Sequence, residues 1–190
     1  MLTNDLKELR AAQRRKFREY MASDRDVPFV LERNDAYCID EVICPTLGAQ
    51  LRRSLRYIVM LIARIAPSCA LKSFLYRLVG VTVGKRVCFT PGVVVEPLFP
   101  ELVTFDDGCC LGMGCRFFSH EFTATHFRLG RIHIGKGAVI GGYSTVSSGV
   151  KVGEKATVGG NSFVNRDVAD GDTVGGVPAK SLVSKRKWDE

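Results

Sequence analysis

From Ile134 onward an aliphatic residue returns every six positions, at Ile134, Ile140, Val146, Val152, Val158 and Val164. The next residue is small or turn-prone each time: Gly135, Gly141, Ser147, Gly153, Gly159, Asn165. Four places after each lead comes Ala138, Ser144, Val150, Ala156, Ser162 or Val168. A helix repeats at 3.6 and a lone strand at 2, so neither alone holds this register. A period of six fits a short strand, a corner and the next strand, with the aliphatic inward and the small residue after it allowing the bend. Three hexads close one triangular coil, and stacked coils bury a continuous narrow core that no single repeat could bury. The expected fold is a parallel β-helix.

The same register runs upstream through Val83, Phe89 and Val95 and through Phe105, Leu111 and Phe117. Val87, Val93, Cys109 and Cys115 lie four places after their leads and are expected to pack inward. Two intervals break the phase: ten residues separate Val95 from Phe105, and seventeen separate Phe117 from Ile134. The longer interval must leave the coil as a loop.

The chain has 190 residues, 46% of them hydrophobic and 25% charged, which suits one domain with a small appendage and is too apolar for a disordered chain. Its net charge of +7 is localised, because residues 42–95 hold eight basic side chains and no acid. The apolar run Tyr57–Ala63 in that segment is far shorter than the roughly 20 residues a membrane-crossing helix needs. The first 25 residues carry Asp5, Lys7, Glu8, Arg10, Arg14, Arg15 and Lys16, which leaves no apolar core for a signal peptide, and a cytoplasmic location is expected. Seven cysteines, an odd number without a Cys-x-x-Cys pair, read as packing residues in a reducing compartment, and no metal is expected.

The run IGKGAVIGGYSTVSSGVKVGEKATVGGNSFVNRDV followed by GGVPAK resembles the hexapeptide-repeat acyltransferases. It is most similar to the CoA-dependent O-acetyltransferase branch that includes the maltose and galactoside acetyltransferases and polysaccharide-modifying enzymes. The resemblance implies an all-β, left-handed parallel β-helix over residues 81–182, preceded by an N-terminal α-helical cap in residues 1–80 and followed by a basic tail, 183–190. It also implies acetyl-CoA as acyl donor, a homotrimer with clefts between neighbouring coils, and a sugar or glycan hydroxyl as acceptor.

Acyl transfer to a hydroxyl needs a base near neutral pH, and only three histidines exist: His120, His126 and His133. His120, in Phe-Ser-His-Glu-Phe at the mouth of the long loop, matches the family's catalytic histidine. Glu121 is a candidate to orient an imidazole, although adjacent residues in an extended segment point to opposite sides. His126 and Arg128, inside the loop, are candidates for acceptor binding, and His133 is expected to face outward. By resemblance, backbone groups at Gly142 and Gly160 would meet the pantetheine arm of CoA. Asn165 would lie near the adenine and Lys180 near a phosphate, and the aromatic cover of some relatives is replaced by Val139. Two other readings compete: a γ-carbonic-anhydrase-like zinc hydratase using the three histidines, and a non-catalytic β-helix scaffold.

Ahead of the coil, residues 3–22, 47–66 and 70–78 read as helices, with Pro28 and Pro45 flanking a loop. The second and third would cap the exposed first coil. Their basic and apolar side chains also suit a helix lying on an anionic membrane surface, giving a peripheral contact through residues 47–80. Nucleic acid is not an expected partner, because the basic residues are interleaved with a long apolar run.

Overall fold

A computed structural model describes residues 2–23, 27–32, 46–123 and 125–182. Cys38, Cys44, Pro45 and the basic tail 183–190 lie outside the described residues. The repeat folds as a coil with three flat faces. The first face stacks β2 (Thr82–Val83), β5 (Val103–Phe105), β10 (Ile132–Ile134) and β13 (Lys151–Val152). The second stacks β3 (Cys88–Phe89), β6 (Cys110–Leu111), β11 (Val139–Ile140), β14 (Thr157–Val158) and β16 (Thr173–Gly175), with β17 (Lys180–Ser181) added antiparallel at its end. The third stacks β4 (Val94–Val95), β7 (Arg116–Phe117), β12 (Thr145–Val146) and β15 (Phe163–Val164).

Within each face the pairing is parallel and the leads align, as Val83, Phe105, Ile134 and Val152 do on the first. Every lead from Val83 to Val164 is buried, and so is the residue four places on, Cys109 and Cys115 at 0% exposure included, except after Phe117, where the chain leaves the coil and Glu121 is half-buried. The core is thus two alternating inward columns, one large and one small. The rings of Phe105 and Phe117 meet edge to face at 4.9 Å at its centre.

The corners differ from the expectation in one respect. The residue that turns the chain is the third after the lead, with positive φ from Arg86 (55°) through Gly114, Gly137, Tyr143 (59°) and Lys155 to Asn161 (54°), except after Val95, Phe117 and Val164 on the third face. The small residue directly after the lead serves another purpose, the close stacking of coils. A Cβ on Gly141 would stand 2.5 Å from the amide nitrogen of Gly160 in the next coil. Close approach, not the bend, selects glycine there.

Helices α1 (Leu2–Ala22), α2 (Leu47–Ile65) and α3 (Cys69–Leu78) precede the coil. Thr46 and Ser68 cap α2 and α3, each hydroxyl accepting from the backbone N–H three residues on. Helix α3 covers the open end of the first coil. Its Tyr76 is buried, stacks on Phe89 at 5.0 Å and donates its hydroxyl to the Val93 carbonyl at 2.9 Å. The Lys72 ammonium reaches the Thr90 carbonyl at 2.9 Å.

The segment after Pro28 departs from the expected loop. Phe29–Glu32 forms strand β1 and pairs antiparallel with β9 (His126–Leu129), which pairs in turn with β8 (His120–Phe122). The long interruption is therefore a hairpin widened to three strands by the front of the chain. A second apolar cluster of Tyr20, Leu31, Phe99, Leu102, Phe127 and Leu129 fixes it to α1 and the coil.

Candidate functional site

The hairpin leaves the coil at the corner that follows the third face. Elsewhere the position after the lead is mostly glycine; in this column it is Glu96, Phe118, Ser147 and Asn165. Glu96 is 3% exposed, directly after β4. One of its carboxylate oxygens accepts from the Ser119 hydroxyl at 3.0 Å and the His120 backbone N–H at 3.2 Å. The same oxygen lies against Nδ1 of the His120 ring. A carboxylate beside Nδ1 can favour the tautomer protonated there, which leaves the Nε2 lone pair free to accept a proton. The imidazole, itself 18% exposed, is walled by the rings of Phe99, Phe122 and Phe127 at 6.0, 5.2 and 5.8 Å.

Glu121 points the other way along β8, as the alternation of an extended segment requires. Its carboxylate accepts from the Ser147 hydroxyl and from the Ser148 N–H at 3.2 Å, and its second oxygen lies 3.9 Å from Arg128. It fastens the hairpin to the coil, and the carboxylate beside His120 belongs to Glu96. Arg128 and Asn165 line one surface depression with Gly149, Lys151, Arg166 and Asp167, about 480 Å³ in volume.

No family model matches the chain. Residues over 70% of its length are 33% identical, across 135 positions and 78% of the relative, to "Putative acetyltransferase YvoF" of Bacillus subtilis (strain 168). The chain belongs to that acetyltransferase family. Among solved structures it is similar to a hexapeptide-repeat acetyltransferase of Vibrio cholerae O1 biovar eltor in complex with acetyl-CoA, with a TM-score of 0.60 at 22% identity over 75% of this chain and 91% of that one. A maltose O-acetyltransferase from Clostridium difficile 630 superposes with a TM-score of 0.57 at 13% identity, over 76% and 91%. A galactoside acetyltransferase in complex with CoA gives 0.55 at 16%, over 76% and 86%. The fold is the left-handed β-helix of the hexapeptide-repeat acetyltransferases, and the protein is an acyltransferase.

Within one copy of this acetyltransferase the remaining candidates lie apart from His120. Gly142 and Gly160 stack at the corner after the second face, beside Met113, where Asn161 donates to the Gly142 carbonyl at 2.9 Å. Lys180 is exposed on β17, opposite Gly175 at the end of that same face. Val139 is exposed at 41% on the second face and carries no ring, whereas the Tyr143 side chain stands exposed beside Gly142. His126 is exposed and paired through Nδ1 with the Thr125 hydroxyl at 2.6 Å. His133 meets Asp106 at 2.7 Å. The three histidines thus have three different partners and do not converge. Among the described residues no group of three or more metal-ligating side chains is assembled.

Sequence reasoning missed Glu96 and Ser119. The signal for Glu96 was in the repeat itself: a long, charged residue in the position where glycine is the rule, at the start of a break in phase.

Proposed function

We propose that the protein is an acetyl-CoA-dependent O-acetyltransferase acting on a hydroxyl of a sugar or glycan, with His120 as general base and Glu96 as its positioning residue. The pairing of the buried Glu96 carboxylate with the His120 ring carries this reading. Nε2 takes the proton of the acceptor hydroxyl while the oxygen attacks the thioester carbonyl. The tetrahedral adduct then collapses, the carbon–sulfur bond breaks, and the CoA sulfur leaves and takes up a proton. Such a base contributes roughly 10²- to 10⁴-fold, and alignment of hydroxyl and thioester supplies the rest.

In this reading the pantetheine arm runs along the corner of Gly142 and Gly160, with Lys180 toward a phosphate. The acceptor lies against the hairpin, with His126 and Arg128 at its edge, and Asn165 lies toward the adenine of CoA. The histidine corner and the glycine corner are separate edges of one coil, which supports a homotrimer whose clefts set one copy's hairpin beside the next copy's glycine corner. A cytoplasmic location is supported by the cysteine usage, seven residues without a Cys-x-x-Cys pair.

The test measures CoA release from acetyl-CoA with a panel of mono- and oligosaccharides, for wild type and His120→Ala. An acceptor-dependent rate lost in the variant is expected; equal rates would remove His120 as the base. Absence of any CoA binding would favour a scaffold.

A further inference from the structure

Helix α2 buries only Met60 and Ala63 against the coil. On its opposite side Leu47, Leu51, Leu55, Ile58, Ile62 and Ile65 form one stripe at helical spacing, every member exposed, with Leu47 at 82% and Ile65 at 81%. At 1.5 Å per residue the stripe runs about 28 Å. On α3, Leu71, Phe74 and Leu78 repeat the pattern and are also exposed. No helix among the described residues is long and apolar enough to cross a membrane.

The charges that residues 42–95 bring to this surface have one sign. Arg52 and Arg64 are exposed on the two flanks of the α2 stripe, Arg77 is exposed on α3, and Lys85 and Arg86 are exposed at the first corner of the coil. Residues 42–95 contain no acid. Arg56 is turned to the body side, where it meets Glu101 at 3.4 Å.

We propose that the outer faces of α2 and α3 dock on an anionic lipid bilayer, with the apolar stripe in the acyl boundary and the flanking cations among phosphate headgroups. Charge selects this occupant. A second copy laid on the same face would set arginine against arginine with no acid in the segment to pair them, whereas an anionic leaflet supplies both an apolar layer and the opposite charge. Docking also has a place in the enzyme's geometry. Helix α2 packs on β4, the strand that directly precedes Glu96, with Tyr57 and Met60 facing Val94, Val95 and Pro97 across a cavity of about 100 Å³. One helix thickness, about 10–12 Å, then separates the bilayer from that strand. The docking does not depend on His120 being the base.

The full chain is floated with vesicles of phosphatidylcholine alone and of phosphatidylcholine with phosphatidylglycerol, at low and high salt. Binding to the anionic vesicles that weakens as salt rises is expected. Ile58→Glu with Ile62→Glu should abolish it. Arg64→Gln should lower affinity about fivefold on the anionic vesicles, the worth of one basic residue near the surface. Thermal melts and CoA binding check that the variants stay folded. No binding of the wild type at low salt would overturn the proposal, and so would equal binding by the double variant. Loss of an oligomer in sedimentation velocity, with vesicle binding unchanged, would assign the face to a second copy.

Discussion

Two corners of the same coil are built from the same six-residue register and differ at one position. After the second face the residue following the lead is Thr90 and then Gly112, Gly141, Gly159 and Gly175, and at Gly112 and Gly141 successive coils approach so closely that only backbone fits. After the third face it is Glu96, Phe118, Ser147 and Asn165, with side chains that reach outward and a chain that leaves the coil between Phe117 and Ile132. The scaffold is identical beneath both. The proposed chemistry enters where the stacking rule is relaxed, because a side chain there costs the coil little and a hairpin can be held by it.

The largest effect should come from breaking the third-face corner at Glu96. In Glu96→Gln an amide N–H would face Nδ1, so the imidazole proton moves to Nε2 and the lone pair points the wrong way. The turnover number should fall roughly 10²-fold or more with KM little changed. The change is nearly isosteric, so a reading of Glu96 as merely structural predicts a lower melting temperature and an unaltered pH–rate profile instead. Steady-state CoA release across pH distinguishes the two, and Glu96→Asp should recover part of the rate.

The second-face corner should answer in stability rather than rate. Gly141→Ala sets a Cβ against the Gly160 amide, with the Gly159 and Val158 backbone also at 2.7 Å and no flexible atom to yield. A loss of about 1–3 kcal/mol is expected from urea unfolding, the usual range for overpacking. An equal loss from Ser147→Ala, the matching position of the third-face corner in the same coil, would erase the distinction between the corners.

Below both corners the inner layer is the same, and its thiols report it. Burial pushes Cys109 and Cys115 up to about 12 from an ordinary value of 9.0. Below pH 9 both states hold these protons. Above it the unfolded chain releases them while the folded chain retains them, so stability falls as pH rises from about 9 toward 12. Each thiol contributes a slope of up to about 1.4 kcal/mol per pH unit in that window. Cys109→Ala and Cys115→Ala should each flatten the alkaline decline, and the same flattening from both places the two beneath a common core. An unchanged decline in either variant would show that its thiol titrates normally.

How much of this was legible in the sequence follows from the same contrast. The coil was readable from Val83 to Val168 because its period is local: each hexad declares its own inward residues, and all the declared leads are buried. His120 was readable because it opens the long break in phase. Glu96 was not paired with it, since 24 residues and three folded strands separate them and only the stacking of coils brings them together. The same holds for Glu121, whose neighbour in sequence is His120 but whose partners, Ser147 and Ser148, lie a coil away. Strand β1 was read as loop because Phe29–Glu32 is four residues long and its partner β9 lies nearly 100 residues on. Non-local pairing leaves no trace in a local pattern.

The smallest effect tests whether the hairpin is fastened at the third-face corner by side chains alone. Ser147→Ala removes the hydroxyl that Glu121 accepts and leaves the Ser148 N–H and Arg128 as its remaining partners. The carboxylate is about a third exposed and can be rehydrated, so the global cost should be near 1 kcal/mol or less. The local effect should be larger than the global one. Amide hydrogen exchange should quicken in β8 and β9 while β12 and β13, on either side of that corner, keep their protection. If exchange in the hairpin is unchanged, the apolar contacts of Phe127 and Leu129 hold it without help. The third-face corner would then contribute the Glu96 and His120 pair and nothing to the anchoring of the segment that carries it.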